Sequence, residues 1–139
     1  MILSILTPVS EFYNGEITSV SVDSTEGRLQ IRPRHAPYVF PIKDCICYIE
    51  TGEGKKAAAV MSGFVEVMSN KVIILSDACE WPEEIDEGRA KEAKERALNR
   101  LKDSEKARIE ETRVDRERAY KSYCRAEIRL KLLLTRGGK

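Results

Sequence analysis

Residues 79–98 read CEWPEEIDEGRAKEAKERAL, and the character of the chain changes inside this stretch. Pro82 is the last of five prolines, and beyond it the sequence turns to Ala, Arg, Lys and Glu, residues that lose little on entering a helix. Pro82, Glu83, Glu84 and Asp86 make a helix start, with carboxylates where the helix dipole is positive and Asp86 able to cap free N–H groups. The stretch therefore predicts a division into residues 1–83 and residues 84–139.

Working forward, Ala90, Ala93, Ala97 and Leu101 recur at spacings of three and four, a narrow stripe of small side chains beside a favourable Glu92–Arg96 pair. The stripe fades around Asp103 to Asp115, where Val114-Asp115 offers a new N-cap, so a loop is expected between Ser104 and Val114. From Arg116, Ala119, Tyr123, Ala126, Leu130 and Leu133 form a second stripe, ended by Gly137-Gly138. This reads as a two-helix hairpin whose second helix has roughly 20 residues and a length of about 30 Å. Its narrow stripes contribute only a few kcal/mol of packing, so the hairpin is expected to be mobile.

Working backward, residues 1–83 show short Val, Ile, Thr, Tyr and Phe stretches punctuated by turn signals. Glu16 to Val22 reads as a strand with one irregularity, because Ile17 is off phase from Val20 and Val22. Cys45 to Ile49 and Lys71 to Leu75 read as strands buried on both faces. Asn14-Gly15, Glu26-Gly27, Thr51 to Gly54 and Ser69-Asn70 are the expected turns. Pro8, Pro33, Pro37 and Pro41 mark strand starts, edges or bends. The fold class is therefore α+β in two parts: an antiparallel β-sandwich or flattened barrel of about 8 to 10 strands, then the helical hairpin.

The chain has 139 residues and a net charge of +1, which conceals an asymmetry. Residues 1–84 carry 7 Lys/Arg and 12 Asp/Glu, a balance of −5, and the remainder carries +6. A basic tail fits nucleic acid, an anionic membrane or an acidic protein surface, so a basic helical adaptor or a nucleic-acid-binding module is the alternative class. Interleaved glutamates argue against a one-signed DNA-binding face. No apolar run approaches the roughly 20 residues of a membrane span, and Met1 to Leu6 lacks the flanks of a signal peptide, so a cytosolic chain with four reduced cysteines is expected.

In order, Thr7-Pro8, Asn14-Gly15-Glu16, Ser24-Thr25-Glu26-Gly27 and Arg32-Pro33-Arg34-His35-Ala36-Pro37 resemble the ε subunits of F-type ATP synthases. The resemblance continues through Ser62 to Val67, Asn70-Lys71-Val72, Asp77 to Glu80, and Ile85 to Ala90 with the following KEAKERA. The sequence departs from that pattern at three places. Arg34 stands where glycine commonly precedes the histidine, Arg28 where an acidic residue is frequent, and Asp44-Cys45 where Pro-Gly is common.

The resemblance implies a non-catalytic central-stalk subunit whose sandwich binds the γ subunit and rests on the ring of c subunits. Its helical part would contact the catalytic α/β hexamer and restrain ATP hydrolysis. A peripheral position on the cytoplasmic face of the membrane is implied, as is a monomer within the complex that binds no nucleic acid. Glu26, Gly27, Arg28 and His35 are the implied interface residues.

By the same resemblance Asp86 and Arg89, with Glu80 and Arg96 and the second-helix Arg125 and Arg129, match a regulatory ATP site that holds the hairpin down. Guanidinium groups offer paired donors to phosphate, and an i, i+4 spacing puts Arg125 and Arg129 on one face. The same residues also read as an N-cap and a solvated surface. Gly52, Gly54 and Lys55 form no phosphate-binding P-loop, and the single histidine supports no catalytic triad, so no catalytic residues are expected. Cys45 and Cys47 share a strand face, but Cys79, Cys124 and His35 add no zinc-ligand spacing, so no metal is expected and no cofactor beyond regulatory ATP. Tyr120 and Tyr123 read as packing residues.

Overall fold

The computed structural model describes residues 1–104 and 110–137, and side chains for residues 1–103 and 116–135. It divides into two compact units, Met1–Pro82 and Glu83–Lys139.

The first unit is one ladder of ten strands: β1 (Ile2–Leu6), β2 (Glu11–Glu16), β3 (Ser19–Ser24), β4 (Gly27–Ile31), β5 (Tyr38–Ile42), β6 (Cys45–Thr51), β7 (Gly54–Val60), β8 (Gly63–Val67), β9 (Lys71–Ser76) and β10 (Cys79–Glu80). Their order is β10-β7-β6-β3-β5-β8-β9-β1-β2, with β4 on β3. Period-two alternation turns one face of each strand inward. Leu3 and Ile5, Val20 and Val22, Cys45, Cys47 and Ile49, Ala58 and Val60, Val65 and Val67, and Val72 and Ile74 are all buried in one core. The ladder closes on that core as a sandwich.

Two hairpins use the same local chemistry. In Ser24-Thr25-Glu26-Gly27 the Ser24 hydroxyl donates to the Gly27 carbonyl at 2.7 Å and accepts from the Glu26 N–H at 3.2 Å. In Thr51-Gly52-Glu53-Gly54 the Thr51 hydroxyl donates to the Gly54 carbonyl and accepts from the Glu53 N–H, both at 3.2 Å. Gly27 and Gly54 have φ of 132° and 142°, which side chains resist.

Several expectations are corrected. Asn14-Gly15 is no turn: it lies inside β2, paired with Ser4 and Leu3. The reversal comes earlier, where the Thr7 N–H donates to the Ser10 carbonyl at 2.9 Å. Glu16 to Val22 is not one strand. The Ile17 N–H donates to the Met1 carbonyl at 2.8 Å and the Thr18 N–H to the Glu50 carbonyl at 2.7 Å, so the chain changes partner there. The β1–β9 pair is parallel, whereas the other pairings are antiparallel. Lys71 to Leu75 is buried on one face only, with Leu75 at 51% exposure. Tyr48 and Ile46 are half-buried on the outer face of β6. Pro41 lies within β5, whose second side is paired only at Ser24↔Ile42, so few ladder N–H groups are needed there.

Residues 32–37 link β4 to β5, and Arg34 within them has φ of 69°. A side chain in the left-handed region costs about 1 kcal/mol relative to glycine.

The second unit begins with a 3₁₀ turn at Pro82–Glu84, followed by α1 (Glu87–Ser104) and α2 (Glu110–Gly137). The α-helix thus starts later than Pro82. α2 has 28 residues, about 42 Å, and already runs from Glu110, so Val114-Asp115 is helix interior rather than a new cap. Of the expected loop, residues 105–109 lie outside the described residues, as does Gly138. α1 and α2 pack on one another. Ala90 and Ala97 on α1 and Ala119, Ala126 and Leu132 on α2 are buried. Among the described residues no helix is long and apolar enough to cross a membrane.

The core generates two tests. A Cβ on Gly63 would lie 1.8 Å from the Leu75 carbonyl oxygen, a backbone atom that side-chain motion cannot displace. Gly63→Ala is therefore expected to lose about 3 kcal/mol or more in urea unfolding; wild-type stability would contradict this packing. Burial pushes the Cys45 thiol up to about 11 and the Cys47 thiol well above its ordinary range. Native alkylation mapped by mass spectrometry is expected to spare both and to reach half-buried Cys124 first.

Candidate nucleotide site and partner surfaces

α1 starts where its sequence supplies a cap. The Arg89 N–H donates to the Asp86 carboxylate at 3.0 Å, and the Ala90 N–H donates to the Asp86 carbonyl, also at 3.0 Å, as the first helical bond. Asp86 is thus bound to the backbone of α1, while the Arg89 side chain stands exposed in the first turn. Arg96 lies seven residues further on, so it shares a helix face with Arg89. Arg125 and Arg129 are half-buried on α2 and share a face at i, i+4.

The register between the helices is marked by a polar node that the sequence did not reveal. Lys94 on α1 donates to the Glu127 carboxylate on α2 at 3.2 Å, and the Tyr123 hydroxyl donates to the same oxygen at 3.1 Å. The Lys94 ammonium also lies 5.7 Å from the Tyr123 ring centre. The Tyr123/Glu127 spacing of four was a readable signal, whereas the Lys94 contact requires knowing which turns of two helices face each other. Five residues separate helices that pack together, so they run antiparallel. Two residues along α1 from Lys94 and two back along α2 from Glu127 put Arg96 and Arg125 at the same level. Asp86, Arg89, Arg96, Arg125 and Arg129 therefore belong to one helical unit. Glu80 belongs to β10 of the sandwich.

The four expected interface residues fall into two groups at the two ends of β4, a strand on the order of 15 Å long. Glu26 and Gly27 are exposed at the hairpin tip where it begins. Arg28 is held at home: its guanidinium donates to the Asp23 carboxylate at 2.9 Å and lies 5.0 Å from the Tyr48 ring centre. His35 follows the other end, half-buried, with its Nδ1 2.8 Å from the Ala36 carbonyl oxygen. A carbonyl only accepts, so Nδ1 is the donor in this contact.

At the end of the sandwich Trp81, the single tryptophan, stacks on Phe12 with centroids 4.5 Å apart and meets the edge of Tyr13 at 6.2 Å. Lys56 reaches over both Tyr13 and Trp81. This aromatic anchor ties the last residues of the first unit to β2. A groove of about 670 Å³ lies beside it, between Tyr13, Ile17, Thr18 and the β6–β7 turn. Among the described residues no cluster of histidine, cysteine or carboxylate side chains is fit to hold a metal ion.

The bond from Lys94 lowers the Glu127 carboxyl below its ordinary range, with Tyr123 adding to the effect. A lowered folded value means stabilisation present above the unfolded pKa, about 4.3, and lost as pH falls through the folded value. Because the pair is partly exposed, Glu127→Gln is expected to cost no more than about 1 kcal/mol. Helix unfolding followed by circular dichroism is expected to lose part of its pH dependence below about pH 4.5 in this variant. An unchanged acid limb would mean that the pair contributes nothing.

Comparisons with known proteins bear on both units. The family described as ATP synthase, Delta/Epsilon chain, beta-sandwich domain matches residues 1–82. An ATP synthase epsilon chain of Clostridium kluyveri is 41% identical over 132 residues, covering 94% of this chain and 95% of that one. Another from Halalkalibacterium halodurans is 40% identical over 128 residues, covering 92% of each. Among solved structures, a chain in the cryo-EM structure of the Euglena gracilis mitochondrial ATP synthase (OSCP/F1/c-ring, rotational state 1) superimposes with a TM-score of 0.76. It covers 94% of this chain and 81% of that chain at 21% identity, a likeness of fold.

Proposed function

The chain belongs to the ATP synthase ε chains, non-catalytic subunits of that complex, and we propose that it serves there as a coupling element and a brake. On this reading the sandwich binds γ and rests on the c ring, carrying ion-driven rotation toward the catalytic hexamer. The helical unit alternates between a contracted and an extended arrangement, and the extended one engages the α/β hexamer and suppresses ATP hydrolysis. The chain then sits peripherally on the cytoplasmic face of the membrane, as a monomer within the complex.

The observation that carries the reading is coverage: similarity to ε chains runs through both units, so the helices are shared as well as the sandwich. The physics of the helical unit is compatible with a switch. Its buried stripe is mostly alanine, and its Lys94–Glu127 pair is about one-third exposed on each side, a contact of about 0 to 1 kcal/mol. A two-state element must differ by only a few kcal/mol for a ligand or partner to shift it. ATP is the proposed regulatory ligand. Arg89 and Arg96 from α1 and Arg125 and Arg129 from α2 would supply donors to its phosphates, with Asp86 and Glu80 completing the set. Phosphate held across both helices would favour the closed hairpin.

The test is ATP hydrolysis by an α/β/γ complex reconstituted with the full chain or with a chain ending at Glu84, with and without preincubation in Mg-ATP. Both are expected to bind, only the full chain is expected to inhibit, and Mg-ATP is expected to relieve the inhibition unless Arg89 is changed to Ala. If both bind and neither inhibits, the helices are no brake. If neither binds, the stalk reading is wrong.

A further inference from the structure

The first 84 residues are acidic as a whole, yet 27–43 contain no Asp or Glu and hold four of their seven cations: Arg28, Arg32, Arg34 and Lys43. Arg28 is neutralised by Asp23. Among the described residues no carboxylate lies within ion-pair distance of Arg32 or Arg34, and both are exposed. Arg34 is also the one non-glycine residue among those described that has a positive φ, at 69°. Glycine would enter that conformation freely, whereas arginine is strained in it and, among the described residues, has no ion-pair partner for its guanidinium in return. Backbone strain of this kind clusters at sites of function.

The surroundings complete a small docking surface. Tyr38, just beyond the loop, is 55% exposed. Tyr38 is stacked on Phe40, with centroids 5.6 Å apart, so its ring is held in place. Two unneutralised guanidinium groups and a fixed aromatic ring suit a protein segment that pairs carboxylates with an apolar side chain.

We propose that Arg34 is a specificity-determining contact of this sandwich, held in a left-handed conformation so that its guanidinium, with Arg32, clamps a carboxylate on the γ subunit. The proposal rests on the stalk reading above and adds to it the chemistry of the partner surface. Charge complementarity favours this occupant: the loop is a positive island on a negative unit, so an acidic segment is attracted to it and kept from the rest of the sandwich.

The experiment measures affinity of the full chain for an α/β/γ complex at about 50 and 300 mM salt, where screening differs strongly. Thermal melts of the free chains accompany it. Arg34→Gly relieves the backbone and removes the charge, so it is expected to melt higher than wild type while binding about tenfold more weakly at low salt. Its affinity is also expected to fall less with added salt. Arg34→Lys keeps the charge and the strain and is expected to retain most of the binding. Wild-type affinity for Arg34→Gly at both salts overturns the proposal, and so does a loss of the same size at both salts, which would mean that neutral packing carries the contact. If the wild-type chain itself fails to bind, the stalk reading falls first.

Discussion

β8 enters the sheet at Gly63 with only a hydrogen facing the Leu75 carbonyl, and much of the sandwich depends on that close approach. Gly63 pairs with Ser76, which starts the five-residue β8–β9 register. β9 in turn holds β1 in parallel from Ile2↔Lys71 to Leu6↔Leu75, and β1 holds β2. Polar bonds hold the same corner. The Ser76 hydroxyl meets the Met61 and Ala78 carbonyls at 2.7 and 3.0 Å, and the Ser62 N–H donates to the Asp44 carboxylate at 2.8 Å. A one-residue slip at this point would turn Val65, Val67, Val72 and Ile74 out of the core together.

The strands were legible because their alternation is a local property, written in residues two apart. What was not legible came from distant partners. Asn14-Gly15 carries a strong turn signal, yet β1 binds both residues into a ladder, and the pairing energy of a strand outweighs a dipeptide preference. The parallel β1–β9 pair joins segments about 70 residues apart, and no spacing within either segment announces it. The start of α2 was missed for a different reason. Apolar periodicity disappears from the sequence near residue 110, but the Glu and Arg found there have high helix propensity, so a helix continues without an apolar face to report it.

The candidate site divides along the same line. Asp86 as a cap followed from its place before an Ala-rich run, and Arg125 and Arg129 as neighbours followed from their spacing of four. The alignment of one helix against the other was hidden, because it depends on Lys94, Glu127 and Tyr123 meeting across the hairpin. Capping and ligand binding are also not rival roles for Asp86. One carboxylate oxygen accepts the Arg89 N–H, which fixes the first turn and with it the direction in which the Arg89 side chain leaves the helix.

The two units handle charge in opposite ways, and this bears on how each meets its surroundings. On the helices, cations and anions interleave, so pairs such as Glu87–Lys91 and Lys94–Glu127 neutralise one another locally, although the residues after Glu84 keep a balance of +6. On the sandwich, cations are few and are concentrated between Gly27 and Lys43 in a stretch without a single acid. A charge that finds a partner at home contributes to the fold, as Arg28 does with Asp23 and Tyr48. A charge without one keeps its hydration in the free chain, so it favours neither folding nor collapse. Arg34 adds conformational strain to that neutrality, which makes the free sandwich slightly less stable than a glycine at the same position would leave it. A domain tolerates a cost of about 1 kcal/mol, so the strain does not by itself require a function; on the proposal above, the residue is kept for its contact with a partner.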